Sequence, residues 1–213
     1  AYELMLKKPE LKVLLIDKGY DIDDRKCPIL QKKITQCPKN KNGVSGCYPS
    51  CSMTSGFGGS GAYSDGKFNI TSEFGGWMTD YLPEEEVIDL IKYVDKINLN
   101  HGAPAEITDP YTPEVKAIEK KGIAAGLKLL RSEVRHLGTE INLQLMKSIY
   151  DEMAKHIDYA FATEVKDIVV ENDEIKGIKL KNDQVIEAKY VLLGVGRNGS
   201  EWLASTLSKY NVK

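Results

Sequence analysis

The sequence predicts an α/β fold with a parallel sheet, an antiparallel β-meander and a mainly helical segment. Three observations support this. The apolar run Val13–Ile16 follows a short helical stretch and ends in an acid and a glycine, as the second half of a βαβ unit does. An amphipathic pattern over 140–156 predicts a helix. Short alternating runs over 159–196 predict the meander.

The elements follow in order along the chain. Helical residues at 2–8 stop before Pro9, and the strand Val13–Ile16 is expected to be buried on both faces. Residues 20–70 show little periodicity, and a loop of that length indicates a function. Helices are predicted at 82–98 and 113–121, a short strand with its connector at 126–137, and a last buried strand at Tyr190–Gly194.

Composition excludes some classes of protein. The 213 residues carry a formal net charge of −2, so no basic excess points to nucleic acid as a partner. No apolar run reaches the roughly 18 residues of a membrane span, and we expect no secretory signal from the opening residues AYELMLKKPE. We therefore expect a cytoplasmic protein without a membrane partner. Because the chain starts without Met, in what looks like a helix, we expect a fragment, a processed chain or an excised domain.

Residues 55–67, SGFGGSGAYSDGK, form a glycine-rich segment. Its glycines allow positive φ or a close approach of the backbone to a ligand. The segment is not a P-loop, because Gly61 is followed by Ala62, and Lys67 by Phe68, where G-x-x-x-x-G-K-[ST] is required.

Four cysteines precede this segment: Cys27, Cys37, Cys47 and Cys51. Their spacing lacks the C-x2-C pairs that are typical of zinc sites. Three interpretations stay open, namely a structural metal site, a disulfide or redox-active pair, and reduced thiols, the last being favoured by a reducing compartment.

Asp17 directly follows the first predicted strand. In a dinucleotide-binding sheet, an acid at this place accepts hydrogen bonds from a ribose hydroxyl. A helix cap or a solvated turn explains the same residue, and the defining glycine fingerprint would lie before residue 1.

Three motifs in order, GFGGSGAYSDGK, VRHLGTEINL and GVGRNGSEW, resemble those of poorly characterised FAD-dependent dehydrogenases of the two-dinucleotide-binding-fold type. The chain departs from the family pattern at single positions. Ser60 and Gly194 stand where the family has alanine, Glu140 where it has aspartate and Asn198 where it has serine. The resemblance implies a Rossmann-like FAD-binding domain and spans nearly the whole chain.

The resemblance also implies the cofactor contacts. Asp17 would hold the adenosine ribose, and the backbone of Val165 would pair with the adenine edge. Arg197 would lie near the pyrophosphate or the ribityl chain, although a surface ion pair explains it equally well. The full set of implied FAD-binding residues is Asp17, Lys18, Gly19, Gly58, Gly59, Ser60, Gly61, Val165, Gly194, Gly196 and Arg197.

Lys67 and His136 are the candidates for a catalytic role. A cation near the flavin would stabilise its reduced, anionic form, whereas Ser64 to Lys67 also reads as a plain turn. For His136 the alternative is a strand-end histidine bonded to backbone. The cysteines are candidates for a metal or redox role, since related proteins often hold a Cys-rich stretch before the glycine loop.

The resemblance divides the chain into three parts. Residues 1–72 and 136–213 are expected to form the FAD-binding domain, the first with a Cys-containing loop at 20–56 and the Gly-rich loop at 55–67. Residues 73–135 are expected to be a helical, substrate-side insertion.

Two classes of function follow from these residues. The first is an FAD-dependent oxidoreductase that acts on a small molecule, with NADH or NADPH as a candidate electron donor. The alternative is a non-catalytic flavin- or metal-binding sensor or scaffold. A simple NAD-binding domain is disfavoured, because that fold continues with βαβ units where this chain predicts a meander.

Overall fold

The computed structural model describes residues 1–39 and 46–212 and divides the chain into two compact units. Unit 1 consists of Ala1–Gly59 and Met153–Lys213, and unit 2 of Ser60–Glu152. The elements in chain order are α1 (Tyr2–Lys7), β1 (Leu14–Ile16), β2 (Lys67–Ile70), α2 (Glu84–Asn100), α3 (Pro113–Ala124), β3 (Glu133–His136), α4 (Thr139–Met153), β4 (Asp158–Ala160), β5 (Val165–Glu171), β6 (Glu174–Leu180), β7 (Val185–Glu187) and α5 (Ser200–Lys209).

Unit 1 holds the parallel pair that the sequence predicts. Strand β1 runs parallel to β4, with Leu15 opposite Tyr159. The pairing continues past the strand ends, because the N–H of Asp17 donates to the carbonyl of Ala160 and that of Ala162 donates to Gly19. Within the described residues this sheet has two strands, and Leu14 is 41% exposed. The expectation of a first strand buried on both faces is therefore wrong.

The antiparallel meander β5–β6–β7 confirms the alternating pattern of the sequence. Asn172 and Asp173 form the turn between β5 and β6 with positive φ, which short polar side chains tolerate. The first alternating run does not belong to the meander: β4 pairs with β1 instead. Ile168, Ile178 and Leu180 form the buried centre of the meander.

The last buried strand, expected at Tyr190–Gly194, is not a strand. Val191 and Leu193 pack against the core of the meander, whereas Tyr190 and Leu192 are 79% and 84% exposed. In the part of the chain that the structure describes, no strand pairs with this segment. Its continuous apolar sequence is thus buried on one side only.

Unit 2 combines helices α2, α3 and α4 with the antiparallel pair β2–β3. Three glutamates occupy the first turn of α2, where the helix dipole favours negative charge. The buried Arg135 of β3 forms a two-pronged ion pair with Asp95 of α2, at 2.6 and 2.7 Å. This hydrogen-bonded carboxylate raises the pKa of Arg135 and fixes β3 on α2.

The unit boundaries at 59/60 and 152/153 differ from the predicted boundaries at 72/73 and 135/136. The reason is the pairing of β2 with β3, which joins the segments on either side of the helices. The functional roles assigned to the three predicted parts stay predictions. No helix among the described residues has the length and apolar character that crossing a membrane requires.

We predict that Gly177→Ala destabilises unit 1 by about 2 kcal/mol or more, because a Cβ at Gly177 would lie 2.1 Å from the carbonyl oxygen of Ile186. The matched control is Gly194→Ala, since a Cβ at Gly194 meets no atom of the described residues within 4 Å. Chemical denaturation of the wild type and of the two variants measures the free energies of unfolding. Equal free energies of unfolding for the two variants would contradict the observed register of β6 and β7.

Candidate functional site

Asp17 ends β1 and begins the candidate site of unit 1. One carboxylate oxygen, Oδ1, accepts the N–H of Gly19 at 2.6 Å, and the side chain is half-buried. This local hydrogen bond fixes the turn after the strand. The N–H of Thr163 donates to the carbonyl oxygen of Asp17 and ties the same turn to the segment after β4.

The start of the glycine-rich segment packs backbone to backbone against this turn. A Cβ at Gly19 would lie 2.3 Å from the nitrogen of Gly56, and one at Gly56 would lie 2.2 Å from the carbonyl oxygen of Tyr20. Gly56 also has a φ of 99°, and the N–H of Phe57 donates to Tyr20 at 3.2 Å. Only glycine therefore fits at either contact position.

Arg25 fixes the same segment from within unit 1, and the sequence analysis missed it. Its side chain is 2% exposed, with Nε donating to the carbonyl of Ser52 at 2.9 Å and Nη1 to that of Phe57 at 2.6 Å. A single arginine in an aperiodic stretch gives no periodic signal. Its burial depends on remote carbonyl partners that only the fold brings to it.

The third motif joins the same place. The side-chain amide of Asn198 donates to Ser55 Oγ at 2.6 Å, and Lys18 Nζ donates to the carbonyl of Asn198 at 3.3 Å. Gly196 has a φ of 60° and precedes a short 3₁₀ turn, Arg197–Gly199, which leads into α5. The Asp17 turn, the start of the glycine-rich segment and the GVGRNG turn thus meet within unit 1.

Several of the predicted glycines border open space. A Cβ built at any of them would meet no atom within 4 Å; they are Gly59, Gly61, Gly194 and Gly196. Gly58 has a φ of 78°, and Arg197 is exposed. Val165 begins β5 opposite Leu180 and packs on the core of the meander.

The rest of the glycine-rich segment is held within unit 2 by Asn142, a second residue that the sequence analysis missed. This side chain is fully buried, and its Nδ2 donates to the carbonyl of Gly61 at 2.6 Å. It also fills the space beside Gly66, where a Cβ would lie 3.0 Å from the Cβ of Asn142. The N–H groups of Leu137 and Gly138 donate to Gly66 and Asp65. The first and second motifs are therefore in direct contact.

Lys67 and His136 lie directly opposite each other in the β2–β3 register, and both face Asp65. Lys67 Nζ lies 2.7 Å from Asp65 Oδ2, and His136 Nε2 lies 3.9 Å from the same oxygen. The hydrogen bond from Lys67 holds the pKa of the Asp65 carboxyl below its ordinary value. The three side chains are exposed and lie together, and His136 ends its strand.

The four cysteines lie in unit 1, and all are free thiols. They line one cavity of about 250 Å³. Among residues 1–39 and 46–212, no three Cys, His, Asp or Glu side chains come together in an arrangement that could hold a metal ion.

No protein-family model matches the chain, and no curated protein matches it. Among solved structures, the chain is similar to a glycine oxidase from Bacillus cereus ATCC 14579, with 16% sequence identity and a TM-score of 0.28. The match covers 71% of this chain and 37% of that chain, so the chain spans little more than a third of that structure. A TM-score this low carries no argument about fold or activity.

We predict that Asn142→Ala lowers the free energy of unfolding by about 2 kcal/mol, because two carbonyls lose their donor and a cavity opens beside Gly66. Thermal and urea unfolding measure the loss. Asn100→Ala is the control, since Asn100 is exposed at the end of α2 and should change stability by less than about 0.5 kcal/mol. Equal stabilities of the two variants would contradict the role of Asn142.

We also predict that Lys67→Met raises the pKa of Asp65 toward the ordinary value of an aspartate, because the main hydrogen bond to that carboxylate is lost. Carboxyl chemical shifts followed over a pH titration measure it. A depressed pKa stabilises the fold above the unfolded-state value and loses this effect as the pH falls, so the two proteins should converge in stability at low pH. Lys128→Met is the reference variant and should leave the titration of Asp65 unchanged. An equally unchanged titration in Lys67→Met would refute the pairing of Lys67 with Asp65.

Proposed function

We propose that this chain is the FAD-binding part of a flavin-dependent oxidoreductase. The observation that carries the proposal is the meeting, within unit 1, of the Asp17 turn, the start of the glycine-rich segment and the GVGRNG turn. These segments are remote in sequence. The glycine-rich segment and the GVGRNG turn belong to motifs that resemble those of FAD-dependent dehydrogenases.

The chemistry of Asp17 fits a ribose. Its carboxylate follows a strand of the parallel pair β1–β4, at the strand end where acids of dinucleotide-binding folds accept ribose hydroxyls. The bond from the Gly19 N–H to Oδ1 orients the carboxylate. A carboxylate oxygen has more than one acceptor site, so this bond leaves capacity for a further donor.

The open glycines and the nearby cations fit a diphosphate. Gly59, Gly194 and Gly196 have open space where a side chain would be, which permits a ligand to approach the backbone closely. Lys18 and Arg197 supply positive charge to the same turn, since Lys18 bonds the carbonyl of Asn198. A doubly charged diphosphate gains from such charge-assisted hydrogen bonds.

When bound, FAD supplies the hydride or electron transfer, and the protein supplies position and electrostatics. The residues of unit 1 would bind and orient its adenosine diphosphate portion. Ser60, Gly61, Lys67 and His136 belong to unit 2, and their roles toward the flavin rest on the motif resemblance alone. The substrate is a small molecule in this proposal, with NADH or NADPH as the candidate donor.

We predict that the chain quenches the fluorescence of added FAD saturably and that Gly194→Val weakens binding about tenfold or more, because the valine occupies the space that the ligand requires. Gly194 has no positive φ, so the variant should fold normally. Gly76→Val is the matched control: Gly76 is equally open, lies in unit 2 and lacks positive φ.

Failure of the folded wild type to bind FAD, or equal affinities of the wild type and Gly194→Val, would contradict the proposal. The reduction of bound flavin separates the two classes of function. Bleaching of the flavin absorbance by NADH or NADPH supports a dehydrogenase. Stable binding without reduction by these or other donors supports the sensor alternative.

A further inference from the structure

The cavity in the Cys-containing loop of unit 1 combines thiols with an apolar lining. All four cysteines contribute to it, together with residues such as Leu30, Ile34 and Met53. Its volume of about 250 Å³ is slightly below the range of cavities that hold drug-sized ligands. The cavity therefore fits a small, mostly apolar molecule.

Cys51 lines this cavity with a thiol whose surroundings favour ionisation. Burial is the largest single contribution to the pKa of Cys51, and it favours the neutral thiol. The pKa is nevertheless below its ordinary value, because several groups together outweigh burial: the N–H groups of Met53 and Thr54, the Thr54 hydroxyl and the positive charge of Arg25. Cys51 is only partly buried, so a reagent in the cavity can reach it. A thiolate of this kind is the reactive form of cysteine.

Cys47 has the opposite character. Burial raises the pKa of its thiol, and the charges of Cys51, Cys37 and Cys27 raise it further, with Cys51 first among them. The thiol of Cys51 therefore ionises more readily than that of Cys47. Two thiols in one cavity, one with a lowered and one with a raised pKa, form an arrangement suited to thiol–disulfide exchange.

Two other roles fit less well. A tetrathiolate metal site requires four ligands in coordination geometry, and the described residues contain no metal-ligating group of even three side chains. Alkylation by a simple electrophile requires a single thiol and gives no role to Cys47. The pairing of an activated thiol with a second thiol in one cavity favours a disulfide as the reactant.

We propose that the cavity binds a small organic disulfide and exchanges it with the Cys47–Cys51 dithiol. The Cys51 thiolate attacks one sulfur of the reactant, the S–S bond breaks, and one thiolate leaves. Cys47 gives its proton to solvent or to a departing thiolate and attacks Cys51 Sγ, which releases the second thiolate. The protein dithiol is oxidised to one disulfide, and the organic disulfide is reduced to two thiols.

The test uses the full chain, fully reduced, with 2-hydroxyethyl disulfide as the probe and intact-mass spectrometry as the readout. We expect the wild type to lose two hydrogens without a stable adduct. Cys47→Ser should accumulate one mixed disulfide, which peptide mapping assigns to Cys51. Cys51→Ser should react at least about tenfold more slowly, since the thiol with the lowered pKa is removed.

Cys37→Ser is the matched control and should behave as the wild type, because Cys37 lines the same cavity but takes no part in the exchange. Thr54→Val provides a second test that keeps all four thiols. It removes one hydrogen bond to Cys51 and should slow the loss of two hydrogens severalfold at neutral pH, with circular dichroism confirming the fold.

Three results would overturn the proposal. The first is an unchanged rate in folded Cys51→Ser, and the second is an adduct on another cysteine in Cys47→Ser. The third is stoichiometric zinc that protects the thiols of the purified chain, which would establish a metal site instead. None of these results depends on flavin binding, so the proposal stands or falls separately from the proposed function.

Discussion

The backbone contact between Gly19 and Gly56 is the constraint on which the candidate site depends. Neither position has room for a Cβ, so the turn after β1 and the start of the glycine-rich segment approach as closely as two backbones can. The buried Arg25 then fixes the segment through the carbonyls of Ser52 and Phe57. These contacts fix the backbone of a loop without regular structure at several points, and a binding surface gains affinity from such preorganisation.

The glycines of the candidate site in unit 1 fall into two groups with different physical roles. Gly19 and Gly56 allow two parts of the protein to touch, and their replacement would disrupt the fold. Gly59 and Gly194 border open space, so replacing them affects what can approach from outside. Arg25 also acts on the Cys-containing loop that precedes the glycine-rich segment, because its positive charge lowers the pKa of Cys51.

The sequence predicted the elements whose signals are local. The meander follows from alternation and from turn residues such as Asn172, and the long helices follow from their apolar spacing. Features that depend on remote partners were missed or misplaced. Strand β4 pairs with β1 although the residues of unit 2 lie between them in the sequence, and the apolar run Tyr190–Gly194 finds no strand partner among the described residues. Arg25 and Asn142 are single polar residues whose hydrogen bonds join distant segments, and no periodicity reports them.

The proposed function depends on FAD binding at the open glycine backbone of unit 1. This binding can be followed by titrating the ¹⁵N-labelled chain with FAD and recording the amide chemical shifts. We expect saturable shifts concentrated at Lys18, Gly58, Gly59 and Gly194 to Arg197, with the amides of the meander turns unchanged. A folded chain whose amides do not shift, or whose shifts are confined to other parts of the surface, would contradict it.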